Sequence, residues 1–212
     1  MNFCRNALLL YAVTGRQGLE GESLAAKVAE AIDGGATFVQ LREKHLPRAE
    51  FLAEACEIGA LCKVRGVPFV VNDAVDIALE ARADGVHVGQ SDMEAGTVRD
   101  LLGPGKILGV SAQTVEQALL AERRGADYIG VGAVFPTSTK DDADAVSYDT
   151  LKAICAAVSI PVVAIGGIGE GNMARLAESG ICGVAVVSAI FGASDVRAAT
   201  ARLANKAGEL FK

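Results

Sequence analysis

The chain has 212 residues, 51% of them hydrophobic, and carries 20 basic against 26 acidic residues for a net charge of −6. Its mean hydropathy of +0.33 supplies apolar area for one large core. The scattered Lys and Arg lack the basic footprint of a nucleic-acid binder, and no apolar run approaches the ~20 residues of a membrane-spanning helix. Five cysteines with no C-x-x-C spacing, and only two histidines, indicate neither a disulfide frame nor a zinc site.

Short β-branched runs alternate with helical patterns from end to end. Strands are predicted over 8–14, 37–41, 68–72, 85–88, 107–111, 128–131, 161–165 and 183–187. Helices are predicted over 24–33, 48–63, 75–82, 94–102, 115–124, 148–158, 171–178 and 196–207. Apolar residues three and four apart, as in Leu24, Val28, Ala31 and Ile32, mark the helices, while the strands are nearly continuously apolar, as parallel strands covered on both faces must be. Glycines such as Gly66, Gly125 and Gly180 stand where a helix ends and the next strand begins. Eight βα units predict an α/β fold, a single (β/α)8 TIM barrel forming one domain over residues 1–212. A doubly wound sheet is disfavoured because residues 14–18 do not supply G-x-G-x-x-G. The first 14 residues carry only a short apolar stretch and no convincing cleavage site, so a cytoplasmic location is expected.

In such a barrel the loops after the strands' carboxyl ends build the site. Arg42 and Lys44 follow the second strand, where a guanidinium fork and an ammonium suit a multiply charged phosphate. Asp73 follows the third strand and Asp92 the fourth; each is either a helix cap or one of two carboxylates converging on an ion. With no His or Cys beside them, the ion that fits is Mg2+. Ser111 ends the fifth strand, and Thr137, Ser138, Thr139 and Lys140 follow the sixth as a hydroxyl and ammonium cluster. Gly166 and Gly167 after the seventh strand permit close backbone approach, and Val187 and Ser188 end the eighth. Those last two loops are the frequent phosphate site of this fold. His87, between Val86 and Val88, and His45 are read as core or surface residues, and neither is chosen as a general base. Residues 141–145 read as a small polar loop and candidate lid.

Taken in order, Gln40 to Lys44, Asn72-Asp73, His87 to Asp92, Gly109-Val110-Ser111, Phe135 to Lys140, Ile165 to Ile168 and Val187-Ser188 resemble the thiamin phosphate synthase family across nearly the whole chain. The resemblance implies an enzyme that joins 4-amino-2-methyl-5-(diphosphooxymethyl)pyrimidine to 4-methyl-5-(2-phosphooxyethyl)thiazole, releasing diphosphate with Mg2+. It places Gln40, Leu41, Arg42, Glu43, Lys44, Asn72, Ser111 and Lys140 on the pyrimidine diphosphate, and Asp73 and Asp92 on Mg2+. Thr137, Ser138, Thr139, Gly167, Val187 and Ser188 fall to the thiazole phosphate. The implied chemistry is a dissociative substitution through a pyrimidine carbocation, with Arg42, Lys44, Ser111 and Lys140 as catalytic groups. Gln113, where the family often has His, and Ala133, where Pro or Ser is common, depart from its pattern. Rival readings are a thiazole tautomerase-like barrel, which would lack a diphosphate leaving group, and a non-catalytic barrel that binds a phosphorylated metabolite. Small-molecule partners are expected, with neither nucleic acid nor membrane; homo-oligomerisation is possible and not legible in the sequence.

Overall fold

In the computed structural model, which describes residues 4–19, 21–137 and 145–211, eight parallel strands close into a barrel in chain order. They are β1 (Leu10–Val13), β2 (Phe38–Leu41), β3 (Phe69–Asn72), β4 (Gly85–Val88), β5 (Ile107–Ala112), β6 (Tyr128–Val131), β7 (Val162–Ile165) and β8 (Gly183–Val186). β1 pairs with both β2 and β8, which closes the ring. The helices are α1 (Leu24–Asp33), α2 (Arg48–Arg65), α3 (Val75–Glu80), α4 (Ala95–Leu102), α5 (Val115–Arg123), α6 (Tyr148–Ala157), α7 (Ser188–Phe191) and α8 (Val196–Leu210).

Local chemistry sets the helix boundaries. Ser23, Thr114, Ser147 and Asp195 each accept a backbone N–H of the first turn that follows, satisfying a donor the helix itself leaves orphaned. Gly66 ends α2 in the left-handed conformation at φ 68°. The helix expected over 171–178 is instead a single 3-10 turn, Met173–Leu176. Gly169 and Gly171 weaken helix formation there. Asn172, the residue in position to cap it, is engaged elsewhere: its Oδ1 accepts from Gly169 N at 2.9 Å and its Nδ2 donates to Gly167 O at 2.8 Å.

Because side chains alternate along a strand, each strand feeds two distinct cores. Leu10, Ala12, Val39, Leu41, Val86, Val88, Leu108 and Val110 point outward and pack with the helices. Tyr11, Val13, Phe38, Val70, Ile107, Tyr128, Val163 and Ala185 fill the barrel interior. The interior is apolar at its foot and becomes polar toward the carboxyl ends, where Gln40, Asn72 and His87 are buried.

Candidate active site

The alternation that separates the two cores also sorts the candidate residues. Gln40, Arg42 and Lys44 line a cavity of about 450 Å3 at the strands' carboxyl ends, as do Asn72, Asp73, Asp92, Ser111, Thr137, Gly167, Val187 and Ser188. The side chains of Leu41 and Glu43, on the opposite parity, do not reach it. Leu41 is fully buried among the outward core residues. Glu43 forms an ion pair with Arg16 at 2.6 Å, and Arg16 in turn holds Glu54 at 2.9 Å, anchoring the loop that presents Arg42 and Lys44. The buried Thr14 adds a second brace by accepting the Arg42 N–H at 2.9 Å. Ser138, Thr139, Lys140 and residues 141–144 lie outside the described residues; of the expected lid only Ala145 is described, and it is exposed.

Neither acid caps a helix. Ala74, not Asp73, precedes α3. Glu94, not Asp92, caps α4, accepting from Gly96 and Thr97. Asp73 sits in the left-handed region at φ 62°, and Ala74 N donates to Asn72 O across it at 2.7 Å, a three-residue turn. Such backbone costs on the order of 1–3 kcal/mol and persists where its surroundings impose it. The turn presents the Asp73 carboxyl to Asp92, whose Oδ2 also accepts from Gly89 N at 2.7 Å. Burial, followed by the hydrogen bond and charge of Asp92, raises Asp73 to about 7, against the opposing pull of Lys44 and Arg42.

Two carboxylates in hydrogen-bond contact are a hard-oxygen donor pair whose charge Lys44 and Arg42 offset only in part. Mg2+ typically uses one or two carboxylates and completes its octahedron with water and phosphate oxygens, so the pair fits that ion. Among the described residues no group of three or more His, Cys, Asp or Glu is placed to hold a metal ion.

Across the cavity, the loop after β7 is built of glycines that cannot be replaced without collision. Gly166 and Gly167 have φ of 101° and 63°. A Cβ at Gly166 would lie 2.5 Å from Ala133 Cβ, and one at Gly167 would meet Pro136 O and lie 2.9 Å from Phe135 Cβ. The β6 and β7 loops therefore pack backbone to backbone, with Thr137, Gly167, Ile168 and Ser188 beside a shallower pocket that opens off the main cavity.

The floor holds groups that motif reading did not select. Gln40 Nε2 donates to Tyr11 OH at 2.5 Å, and the Tyr11 and Tyr128 hydroxyls are 2.7 Å apart. Tyr128 OH lies 2.9 Å from His87 Nδ1, and His87 Nε2 lies 2.9 Å from Ser111 Oγ. His87, read as a core or surface residue, is buried, within a polar network rather than apolar packing. In the sequence it stood at an inward position of β4 and opened the His87 to Asp92 segment of the family resemblance.

Fold and charge pattern together define the class, a (β/α)8-barrel enzyme. Residues 10–190 match the family described as thiamine monophosphate synthase. The chain shares 51% identity over 194 residues with the thiamine-phosphate synthase of Clostridium tetani, covering 92% of this chain and 93% of that one. It is 52% identical over 204 residues to the probable thiamine biosynthetic bifunctional enzyme, chloroplastic, of Oryza sativa subsp. japonica, covering 94% of this chain and 37% of that longer protein. A solved thiamine phosphate pyrophosphorylase from Pyrococcus furiosus superposes with a TM-score of 0.90 at 41% identity, covering 98% and 99% of the two chains. The chain belongs to the thiamine monophosphate synthase family, and its function is thiamin phosphate synthesis, a transferase reaction.

Proposed function

We propose that the cavity joins 4-amino-2-methyl-5-(diphosphooxymethyl)pyrimidine to 4-methyl-5-(2-phosphooxyethyl)thiazole with Mg2+ bound by Asp73 and Asp92. The observation that carries this reading is the convergence of Arg42, Lys44, Asp73 and Asp92 on one cavity. A tautomerase, which has no diphosphate to release, has no use for that charge set. Gln40, Asn72 and Ser111 take the pyrimidine side, with Arg42, Lys44 and, by sequence, Lys140 on its diphosphate. Thr137, Gly167, Val187 and Ser188 take the thiazole phosphate, and Ser138 and Thr139 belong with them by sequence.

The bond that breaks joins the pyrimidine methylene carbon to the diphosphate oxygen, which leaves with the electron pair. The electron-rich aminopyrimidine stabilises the resulting cation, and the thiazole nitrogen captures it with its own lone pair. No general base is needed. Arg42 and Lys44 stabilise charge that grows on the leaving group, and the cavity walls hold the nucleophile in line. When bound, Mg2+ would supply further neutralisation of the diphosphate. The reading includes a single barrel working as one unit in the cytoplasm, supported by five free thiols. No described helix is long and apolar enough to cross a membrane.

The test is a Mg2+ titration of product formation. Wild type should show a saturable Mg2+ requirement, and Asp73→Asn and Asp92→Asn should each shift it to higher concentration. An unchanged requirement in both variants would remove the metal from this pair.

A further inference from the structure

We propose that Tyr11, Tyr128 and His87 are positioning residues, forming a one-way hydrogen-bond chain beneath the cavity that sets Gln40 Oε1 as an acceptor and the Ser111 hydroxyl as a donor for an aminopyrimidine. The proposal deepens the substrate reading above and rests on it for the identity of the ligand.

The contacts between the two hydroxyls and at the imidazole are open to either sense, and counting protons from Gln40 selects one. A Gln amide nitrogen only donates, so the Tyr11 oxygen accepts at its 2.5 Å contact with Gln40 Nε2. The single phenol proton of Tyr11 then goes to Tyr128 OH, 2.7 Å away. Tyr128, accepting there, gives its own proton to His87 Nδ1 at 2.9 Å. A neutral imidazole that accepts at Nδ1 carries its proton on Nε2, which donates to Ser111 Oγ at 2.9 Å. Ser111 is left with its own proton to donate toward an acceptor atom in the cavity. At the other end, committing Gln40 Nε2 to Tyr11 fixes the amide, so that Oε1 is the acceptor matching the exocyclic amine of an aminopyrimidine. Both Gln40 and Ser111 line the cavity.

The barrel is built around this chain. Tyr11 and Tyr128 are almost completely buried, and burial raises both phenols well above their ordinary value, so they act as neutral relays. Space for them comes from glycines on two adjacent strands. A Cβ at Gly109 of β5 would overlap the Tyr128 ring and lie 2.5 Å from His87 Nδ1, and one at Gly130 of β6 would lie 3.1 Å from His87 Cε1. An interior otherwise filled by residues such as Phe38, Val70 and Val163 could be completed with apolar side chains. Polar groups held there are costly unless fully paired, and fully paired they fix one arrangement.

The first readout is the long-range 1H–15N spectrum of the wild-type imidazoles, simple because the chain has only His45 and His87. His87 should be the Nε2-protonated tautomer, and Tyr128→Phe should release that preference. The second is discrimination between the 4-amino pyrimidine diphosphate and an analogue bearing hydrogen at that position, measured as the ratio of kcat/KM. In Tyr128→Phe the ratio should fall about tenfold, within the range for orphaning a buried hydrogen-bonding group, while the KM for thiazole phosphate stays put. An Nδ1-protonated His87 in wild type, or an unchanged ratio in Tyr128→Phe, would overturn the proposal. The tautomer spectrum needs no substrate, so it decides the network even if the wild type made no product and the substrate reading failed.

Discussion

Arg42 and Lys44 owe their place to strand parity: they continue the inward face of β2 while Leu41 and Glu43 continue the outward one. Both are cations at the mouth of the cavity, where a preorganised charge acts on a leaving group without reorganising at the moment of reaction. Lys44→Ala is expected to lower kcat by about 10²-fold, the lower end for removing one such group, with little change in the thermal midpoint. Steady-state assays of purified variant and wild type check this, and turnover within a factor of two would remove Lys44 from the catalytic set. Asp73 makes a prediction of opposite character. Its folded value of about 7 exceeds its ordinary 3.8, so between those values the native state binds a proton that the unfolded chain has lost. Stability of the metal-free protein therefore falls as pH rises from about 4 to about 7 and levels above, as far as this group decides. Mg2+ competes with that proton, so added Mg2+ should raise the melting temperature more at pH 8 than at pH 5. An equal shift at both values would contradict the assignment. At this scale the sequence exposed Arg42, Lys44, Asp73 and Asp92, because charged residues after apolar strands stand out. It concealed Tyr11 and Tyr128, which pass for ordinary strand formers, and Thr14, whose hydroxyl is used only once the chain has folded back on Arg42 N.

Among the elements, β5 and β6 carry an unusual load, because glycines at Gly109 and Gly130 leave interior room that Tyr128 and His87 occupy. Gly109→Ala would force an extra carbon into that packing and should destabilise the barrel by roughly 1–3 kcal/mol, the usual cost of overpacking. Urea unfolding monitored by circular dichroism checks it, and an unchanged midpoint would mean that the Tyr128 ring moves aside freely. The strands were legible within a residue or two, since parallel strands buried on both faces read as unbroken β-branched runs. Most helices were equally plain; β4, β6 and α1 have the expected bounds. One exception followed β8, where Ser188 opens the short helix α7 instead of ending the strand; the other followed β7. The alternating pattern suggested a full helix over 171–178, but the glycines before the turn and the use of Asn172 to brace the Gly167 loop leave only one turn. Tertiary engagement of a capping residue is invisible to periodicity.

For the whole molecule, closure of eight parallel strands brings polar residues at the carboxyl ends of β2, β3, β4 and β5 onto one rim. The ordered recurrence of strand, polar cluster and helix made the barrel readable. Which rim residues touch one another was not readable, because that depends on register around the ring. The two carboxylates on neighbouring strands β3 and β4 face two cations from β2, and the glycine loop after β7 closes the far side. The decisive measurement is incubation of the full chain with the pyrimidine diphosphate and the thiazole phosphate, with and without Mg2+, following thiamin phosphate and diphosphate together. The expected result is Mg2+-dependent formation of both in equal amounts; absence of thiamin phosphate under either condition, or its formation without diphosphate, would contradict it.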